Sequence, residues 1–388
     1  MALVGGRDPG IAALGTWSGG RFMHFGDPIA EERLQALLRP DESIDTVITA
    51  DVYGAGAADR LLGAALNGCA RDAVCVIGAV GHDFYEGERD GPKGFPRFTD
   101  PRLRGPGDYA GYLRMAAERS LERCGVDSFD LLLLHNPDRI GFTSEAVWEG
   151  MAALREAGLT RLIGVAPGPA NGFTLDVIDC LERFGKTIDW VMLILNPLEP
   201  WPGELALGAA AAAGARVIAR VVDYGGVFHD DVIADDSFRE GDHRSFRPAG
   251  WVAPARAKLD EMRPIAAAAG VTMLQLACLW DLAHEGVACV APTLIQESGE
   301  GARVIEDKRA ELAALRTKEP LGAEAVARIR AIGDNTGCMK LKGAVADHEG
   351  DDLPDRWSIR EEHLVAASRW NIDPKRDLVP ADYTRSTS

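Results

Sequence analysis

Eight short apolar runs, each separated from the next by an amphipathic stretch, constrain this chain more than any other feature. The runs are residues 12–17, 45–53, 73–80, 129–135, 161–167, 189–195, 215–222 and 286–292. They are rich in Val, Ile and Leu and mostly do not alternate with polar residues, as in parallel strands covered on both faces. Helical patterns fill residues 30–38, 57–68, 107–124, 144–157, 174–184, 203–213, 256–269 and 299–315. In the third, Leu113, Ala116, Ala117 and Leu121 form a single stripe. Eight such units over about 300 residues predict an α/β fold of the (β/α)8 TIM-barrel type. The competing doubly wound sheet usually carries G-x-G-x-x-G after its first strand, and Gly5-Gly6 and Gly19-Gly20 do not make that motif.

Two segments fall outside the barrel. Residues 84–106 are polar, rich in Pro and Gly, and follow the third strand on the face where barrel active sites are built, so they are expected to form a lid. Residues 1–335 make the barrel. Residues 336–388 make a C-terminal extension whose Trp357 and Trp370, with Pro374 and Pro380, predict packing over the barrel rather than a free tail.

Composition narrows the function classes. With 42 Lys and Arg against 59 Asp and Glu, the 388 residues carry a formal charge of −17. Such a chain, with no basic stripe, is a poor binder of nucleic acid or anionic membrane. No window approaches the roughly 18 apolar residues of a membrane span. The start, with Arg7, Asp8 and several glycines, does not read as a secretion signal, so a cytoplasmic location is expected. Seven cysteines without a C-x-x-C pair read as reduced structural thiols, not as a disulfide scaffold or zinc site.

The segments LGTW (14–17), TADVYG (49–54), DLLLLHNPD (130–138), LIGVA (162–166) and GVTMLQLACLW (270–280) resemble the aldo-keto reductases over roughly residues 10–335. The resemblance implies a barrel that binds NADPH across its C-terminal face and reduces carbonyls with an Asp, Tyr, Lys, His tetrad. The Tyr matches Tyr53 and the His matches His135. In that family the Tyr donates a proton to the carbonyl oxygen, helped by the Lys and Asp, because an unaided phenol of pKa about 10 is a weak acid at neutrality. Here Ile48 stands at the Asp position and Ala79 at the Lys position. Asp45 lies three residues further back, about 10 Å along the strand and on its opposite face. The nicotinamide contacts depart too. Ala166-Pro167 and Met192 replace the carboxamide-binding residues, leaving Asn196 as the nearest amide, and Arg220 replaces the stacking aromatic. After the eighth strand, Ala291 to Glu297 offer no cation to a 2′-phosphate. Thr293 and Arg303 remain as the NADPH contacts if that cofactor binds.

The candidate site therefore comprises Tyr53, His135 and Arg220 as catalytic residues, with Trp17, Asp51, His82 and Asn196 on substrate. An Arg in the apolar strand RVIARVV must be paired or face a polar pocket. Its expected partner is either Asp223 or an anionic group of the substrate. No His spacing suggests a metal, although His82, Asp83 and His135 are close enough in the pattern to converge. The expected function is redox-neutral acid-base chemistry by Tyr53 and His135 on an oxygenated small molecule: elimination, isomerisation, or ether or glycoside cleavage. No cofactor is expected on this reading. The alternatives are a divergent NAD(P)H-dependent carbonyl reductase and a non-catalytic binding barrel. The sequence assigns no oligomeric state.

Overall fold

The computed structural model describes residues 6–91, 94–168, 173–232, 234, 238–335, 342–346 and 348–378. Eight parallel strands follow one another in order: β1 (Ala13–Gly15), β2 (Thr46–Ile48), β3 (Cys75–Val80), β4 (Phe129–His135), β5 (Thr160–Ala166), β6 (Trp190–Ile194), β7 (Arg216–Arg220) and β8 (Val287–Ala291). A parallel bridge between Ala12 and Val290 brings β8 back to β1. The result is a (β/α)8 barrel.

Side chains on each strand alternate between two apolar environments. Ile48, Ile77, Ala79, Leu131, Leu133, Ala166, Met192, Ile218 and Ala291 fill the barrel interior. Val47, Val76, Val80, Leu132, Leu134, Val165, Val191 and Val217 pack outward against the helices. This double burial is why the strands read as continuous apolar runs.

The helices between strands are α1 (Glu31–Leu38), α2 (Ala57–Leu66), α3 (Tyr109–Cys124), α4 (Arg139–Thr143), α5 (Glu145–Glu156), α6 (Thr174–Phe184), α7 (Gly203–Ala213), α8 (Val252–Ala269) and α9 (Met273–Leu282). After β8 come α10 (Ile305–Ala313) and α11 (Ala323–Gly333). Helix α9 was not expected from periodicity. All but its last residue are buried, so it shows no polar face, and it is set by the Thr272/Gln275 capping box. No single helix among the described residues is long and apolar enough to cross a membrane.

The described part of the C-terminal extension holds β9 (Gly343–Val345), β10 (Arg356–Ser358), α12 (Glu361–Arg369) and α13 (Pro374–Asp377). It lies on the helix layer at α6 and α7. The Asp176 carboxylate accepts from Trp357 Nε1 (2.8 Å) and the Ala344 amide (3.1 Å), and meets His363 Nε2 at 3.1 Å. Trp370 lies over Gly208 of α7, where a Cβ would fall 2.8 Å from the indole. Pro380 lies outside the described residues.

Candidate active site

The site forms where β2, β3, β4 and β7 end. Strand β2 stops at Ile48, short of the expected residue 53, because the chain turns there. The Asp51 amide still bonds the Ala79 carbonyl (3.1 Å), and the Tyr53 amide then closes onto the Ala50 carbonyl (3.0 Å). The turn sets Tyr53, like Trp17, against the interior cluster. His135 ends β4 directly. Its ring meets Tyr53 edge-on, with centroids 5.7 Å apart, and His82 with centroids 5.3 Å apart. The ends of β3 and β4 come this close only because residue 81 is glycine; a Cβ there would collide with the His135 carbonyl.

His82 is held at both ring nitrogens. The Asn136 amide nitrogen lies 3.1 Å from Nε2, and Nδ1 lies 3.1 Å from the Phe95 carbonyl. The expected lid folds back as a flap: Arg97 bridges to His82, the Asp83 amide bonds Pro96 O (2.8 Å), and the Phe98 amide bonds Gly81 O (3.0 Å). Arg104 pins its base by pairing with Asp83 and with Glu86 (2.9 Å). The flap delivers a residue the sequence reading missed. Arg97 donates through Nε to the Asn136 carbonyl, and its Nη1 lies 3.0 Å from His82 Nδ1. Its only sequence signal was a cation in the polar stretch read as a lid.

Arg220 closes the other side. Its Nη2 donates to the carbonyls of Pro167 (2.9 Å) and Gly168 (3.0 Å), while its Nε is buried without an acceptor. The expected pairing with Asp223 does not form. That carboxylate is fully buried and accepts from the amides of Thr293 (2.6 Å) and Gly226 (2.9 Å). Among the described residues neither Arg97 nor Arg220 has a carboxylate at ion-pair distance.

These surroundings fix the protonation states. Burial first, then Arg97 and Arg220, push the His135 imidazole down to about 3. Burial raises the Tyr53 phenol, and Arg220 opposes that rise. His82 is pushed well down by burial and by Arg97. At neutral pH the mouth therefore holds two neutral imidazoles and a neutral phenol beside two guanidinium cations.

Five other sequence candidates are placed elsewhere or already engaged. Asp51 is buried with neither carboxyl oxygen hydrogen-bonded, and its electrostatic neighbours are Asp59, Arg123 and Asp83, toward the helix layer. Burial and Asp59 push its carboxyl well up. Asn196 spends its amide on Glu199 (3.2 Å) and Val221 O (3.0 Å), and its oxygen on the amides of Leu198 and Glu199. It closes a turn and has no polar atom left for a ligand. Arg303 pairs with Glu311, and the Thr293 carbonyl meets His229 Nε2 at 2.8 Å. Asp83 is committed to the flap and does not converge with His82 and His135 on a common point. Ile48 and Ala79 point into the barrel interior, so an apolar floor lies where the resemblance implies a charged pair.

The model of the aldo/keto reductase family matches residues 13–332. The chain belongs to the aldo/keto reductase family. Solved family members share its fold. The glycerol dehydrogenase of Gluconobacter oxydans superposes with a TM-score of 0.64 at 22% identity, covering 86% of this chain and 95% of that one. An aldo-keto reductase of Klebsiella pneumoniae, solved in complex with NADPH, gives 0.54 at 20% identity over 85% and 94%. The 6-dehydroglucose reductase of Agrobacterium fabrum is 27% identical over 39% of this chain and 48% of its own length. Two further curated relatives, an aldo-keto reductase of Mycolicibacterium smegmatis and a D-threo-aldose 1-dehydrogenase of a Pseudomonas species, match over 59% and 56% of their lengths, so the chain spans about half the length of these relatives.

Proposed function

We propose that this family member reduces the carbonyl group of a sugar-like compound with a nicotinamide dinucleotide as hydride donor. One observation carries the reading: among the described residues the mouth presents neutral hydrogen-bond donors and cations without a carboxylate partner, and no group basic enough to deprotonate carbon at neutral pH. Elimination or isomerisation needs a group that takes a proton from carbon. An imidazole whose pKa is about 3 is too weak a base for that at neutral pH, and among the described residues no carboxylate is hydrogen-bonded to Tyr53, His135 or Arg220. Negative charge developing on a carbonyl oxygen is what Tyr53, His135 and Arg220 suit. This reading replaces the redox-neutral expectation. It also agrees with the names of the relatives, a dehydroglucose reductase and a glycerol dehydrogenase.

The residues' roles follow from their positions. The Tyr53 hydroxyl donates to the carbonyl oxygen and gives up its proton as the alkoxide forms. His135 donates to the same oxygen from Nε2; its Nδ1 is buried without a partner. Arg220, a permanent cation acting on Tyr53, does from β7 what the family Lys does from β3: it lowers the cost of the phenolate.

The dinucleotide supplies hydride when bound. Trp17 and residues 293–296 would hold it; they adjoin, since the Leu294 amide bonds Ser18 Oγ (3.1 Å) and the Gly19 amide bonds Leu294 O (2.9 Å). The cations around that segment are already paired: Arg244 with Asp242 (2.8 Å) and Glu297, Lys308 with Asp231 (2.6 Å), Arg33 with Glu306 (2.6 Å), and Arg303 with Glu311. That arrangement fits NADH, which lacks the 2′-phosphate, better than NADPH.

The test is nicotinamide absorbance with a panel of sugar aldehydes, keto sugars and small hydroxyketones, for the native protein and Tyr53→Phe. Cofactor oxidation that falls at least about 100-fold in the variant is expected. Tyr53-dependent conversion of any panel member without cofactor, or no oxidation across the panel, would overturn the reading.

A further inference from the structure

The C-terminal extension, described over residues 342–346 and 348–378, lies beyond residues 13–332 that the family model matches. It does more than cover the helix layer. Some of its contacts fall where α4 and α6 begin, just past the ends of β4 and β5, on the face of the barrel that carries the active site. Asp352 pairs with Arg139 (3.5 Å). Trp357, fully buried, packs its ring on Phe142 and Phe173, with centroids 6.4 and 5.6 Å away. Its Nε1 donates to the buried Asp176 carboxylate in the first turn of α6 (2.8 Å), which also takes the Ala344 amide and meets His363 Nε2. Three groups of the extension thus converge on one carboxylate that would be costly to leave unpartnered.

From Trp357 a short line of contacts runs to the site. The Phe173 ring lies against Gly168, where a Cβ would fall 2.9 Å from it. The Gly168 carbonyl, with that of Pro167, accepts from Arg220 Nη2 at 3.0 and 2.9 Å. Arg220 acts in turn on the Tyr53 phenol and the His135 imidazole. Phe173, Gly168 and Arg220 also line one small cavity of about 30 Å³, so the ring has room to shift once its support from Trp357 is removed.

We propose that Trp357 of the extension is a positioning residue for the active site: through Phe173 it holds the Pro167 and Gly168 carbonyls in place and so fixes the direction of Arg220. Asp176 is its anchor on α6. A guanidinium favours a developing phenolate through distance and direction, so a displacement of about 1 Å is enough to slow the reaction. The effect on turnover rests on the reductase reading. The effect on the placement of Arg220 does not, and can be measured without cofactor.

The experiment pairs two readouts. Labelling of the cofactor-free protein with phenylglyoxal, followed at the Arg220 peptide by mass spectrometry, reports how firmly that guanidinium is held. The kcat for the carbonyl panel reports the consequence. In Trp357→Leu, labelling of Arg220 should speed up at least about fivefold as its support opens. The kcat should fall about tenfold, within the range that misplacement from a remote change produces. In an Arg220→Met background the same change should alter kcat by less than about twofold, because the line of contacts ends at Arg220. Trp370→Leu is the control for general loosening: Trp370 docks the same extension on Gly208 and on Glu182 (3.1 Å), away from Phe173, and its loss should leave Arg220 labelling and kcat unchanged. Melting curves check that the variants fold; should Trp357→Leu not fold, Gly168→Ala, which presses on Phe173 at the middle of the line, carries the comparison. Unchanged labelling of Arg220, labelling raised as much by Trp370→Leu, or an equal loss of kcat with and without Arg220 overturns the proposal. Faster labelling in a protein that oxidises no cofactor leaves the positioning role standing and the reductase reading failed; unchanged labelling in an active reductase is the reverse.

Discussion

The neutral state of His135 decides between carbonyl reduction and acid-base chemistry, and it has a measurable consequence for stability. The imidazole is depressed from 6.5 to about 3 in the folded protein. Below pH 6.5 the unfolded chain takes up a proton there that the folded chain refuses. Stability contributed by this group is therefore intact above 6.5 and is lost as pH falls toward 3. At pH 5 the loss is close to 1.4 kcal/mol for each of one and a half pH units, about 2 kcal/mol. His135→Gln removes the titration and keeps a side chain of similar reach. Urea unfolding of both proteins between pH 7 and 5 should show the native protein losing about 2 kcal/mol more than the variant over that range. His82 and His229, also pushed well down by burial, titrate in both proteins and largely drop out of the difference. Parallel curves would refute the reasoning. His135 would then protonate freely in the fold, and general acid-base chemistry would return as the better account of the site.

Three further outcomes follow from particular contacts. Arg220→Met should lower reductase turnover about 100-fold, with Arg220→Lys recovering part of it, as read from kcat across a pH series; full activity in Arg220→Met would make the residue structural. Because the cations near the segment after β8 are already paired, fluorescence titration should show NADH binding more tightly than NADPH, and Glu311→Gln, which frees Arg303, should narrow the gap. Gly81→Ala sets a methyl against the main chain of His135, where no rotamer can relieve it; a loss of roughly 1–3 kcal/mol in denaturant unfolding is expected, together with impaired turnover.

Much of this protein is determined by short-range rules that a sequence carries openly. Alternating strand and helix patterns specify a parallel barrel, because strands buried on both faces must be apolar throughout and each needs a helix to cover it. The same pattern places His135 at the end of the fourth strand and Tyr53 in the turn just past the second. It also turns Ile48 and Ala79 inward, so the missing charged pair was legible before any coordinates. What the sequence alone did not decide is which polar groups meet. Arg97 and Asn136 are 39 residues apart, and only the folding back of the flap onto β3 brings them together. Asp223, three residues from Arg220, looked like its partner, yet the turn after β7 aims it at the amides of Thr293 and Gly226. Asn196 and Asp51 have suitable chemistry but face a turn and the helix layer. Helix α9 has no polar stripe because it is packed on all sides. Periodicity reports which face of an element is dry. Ion pairs, loop folds and the direction of a side chain at a strand end are set by contacts distant in sequence, and those decided that the mouth holds two unpaired arginines.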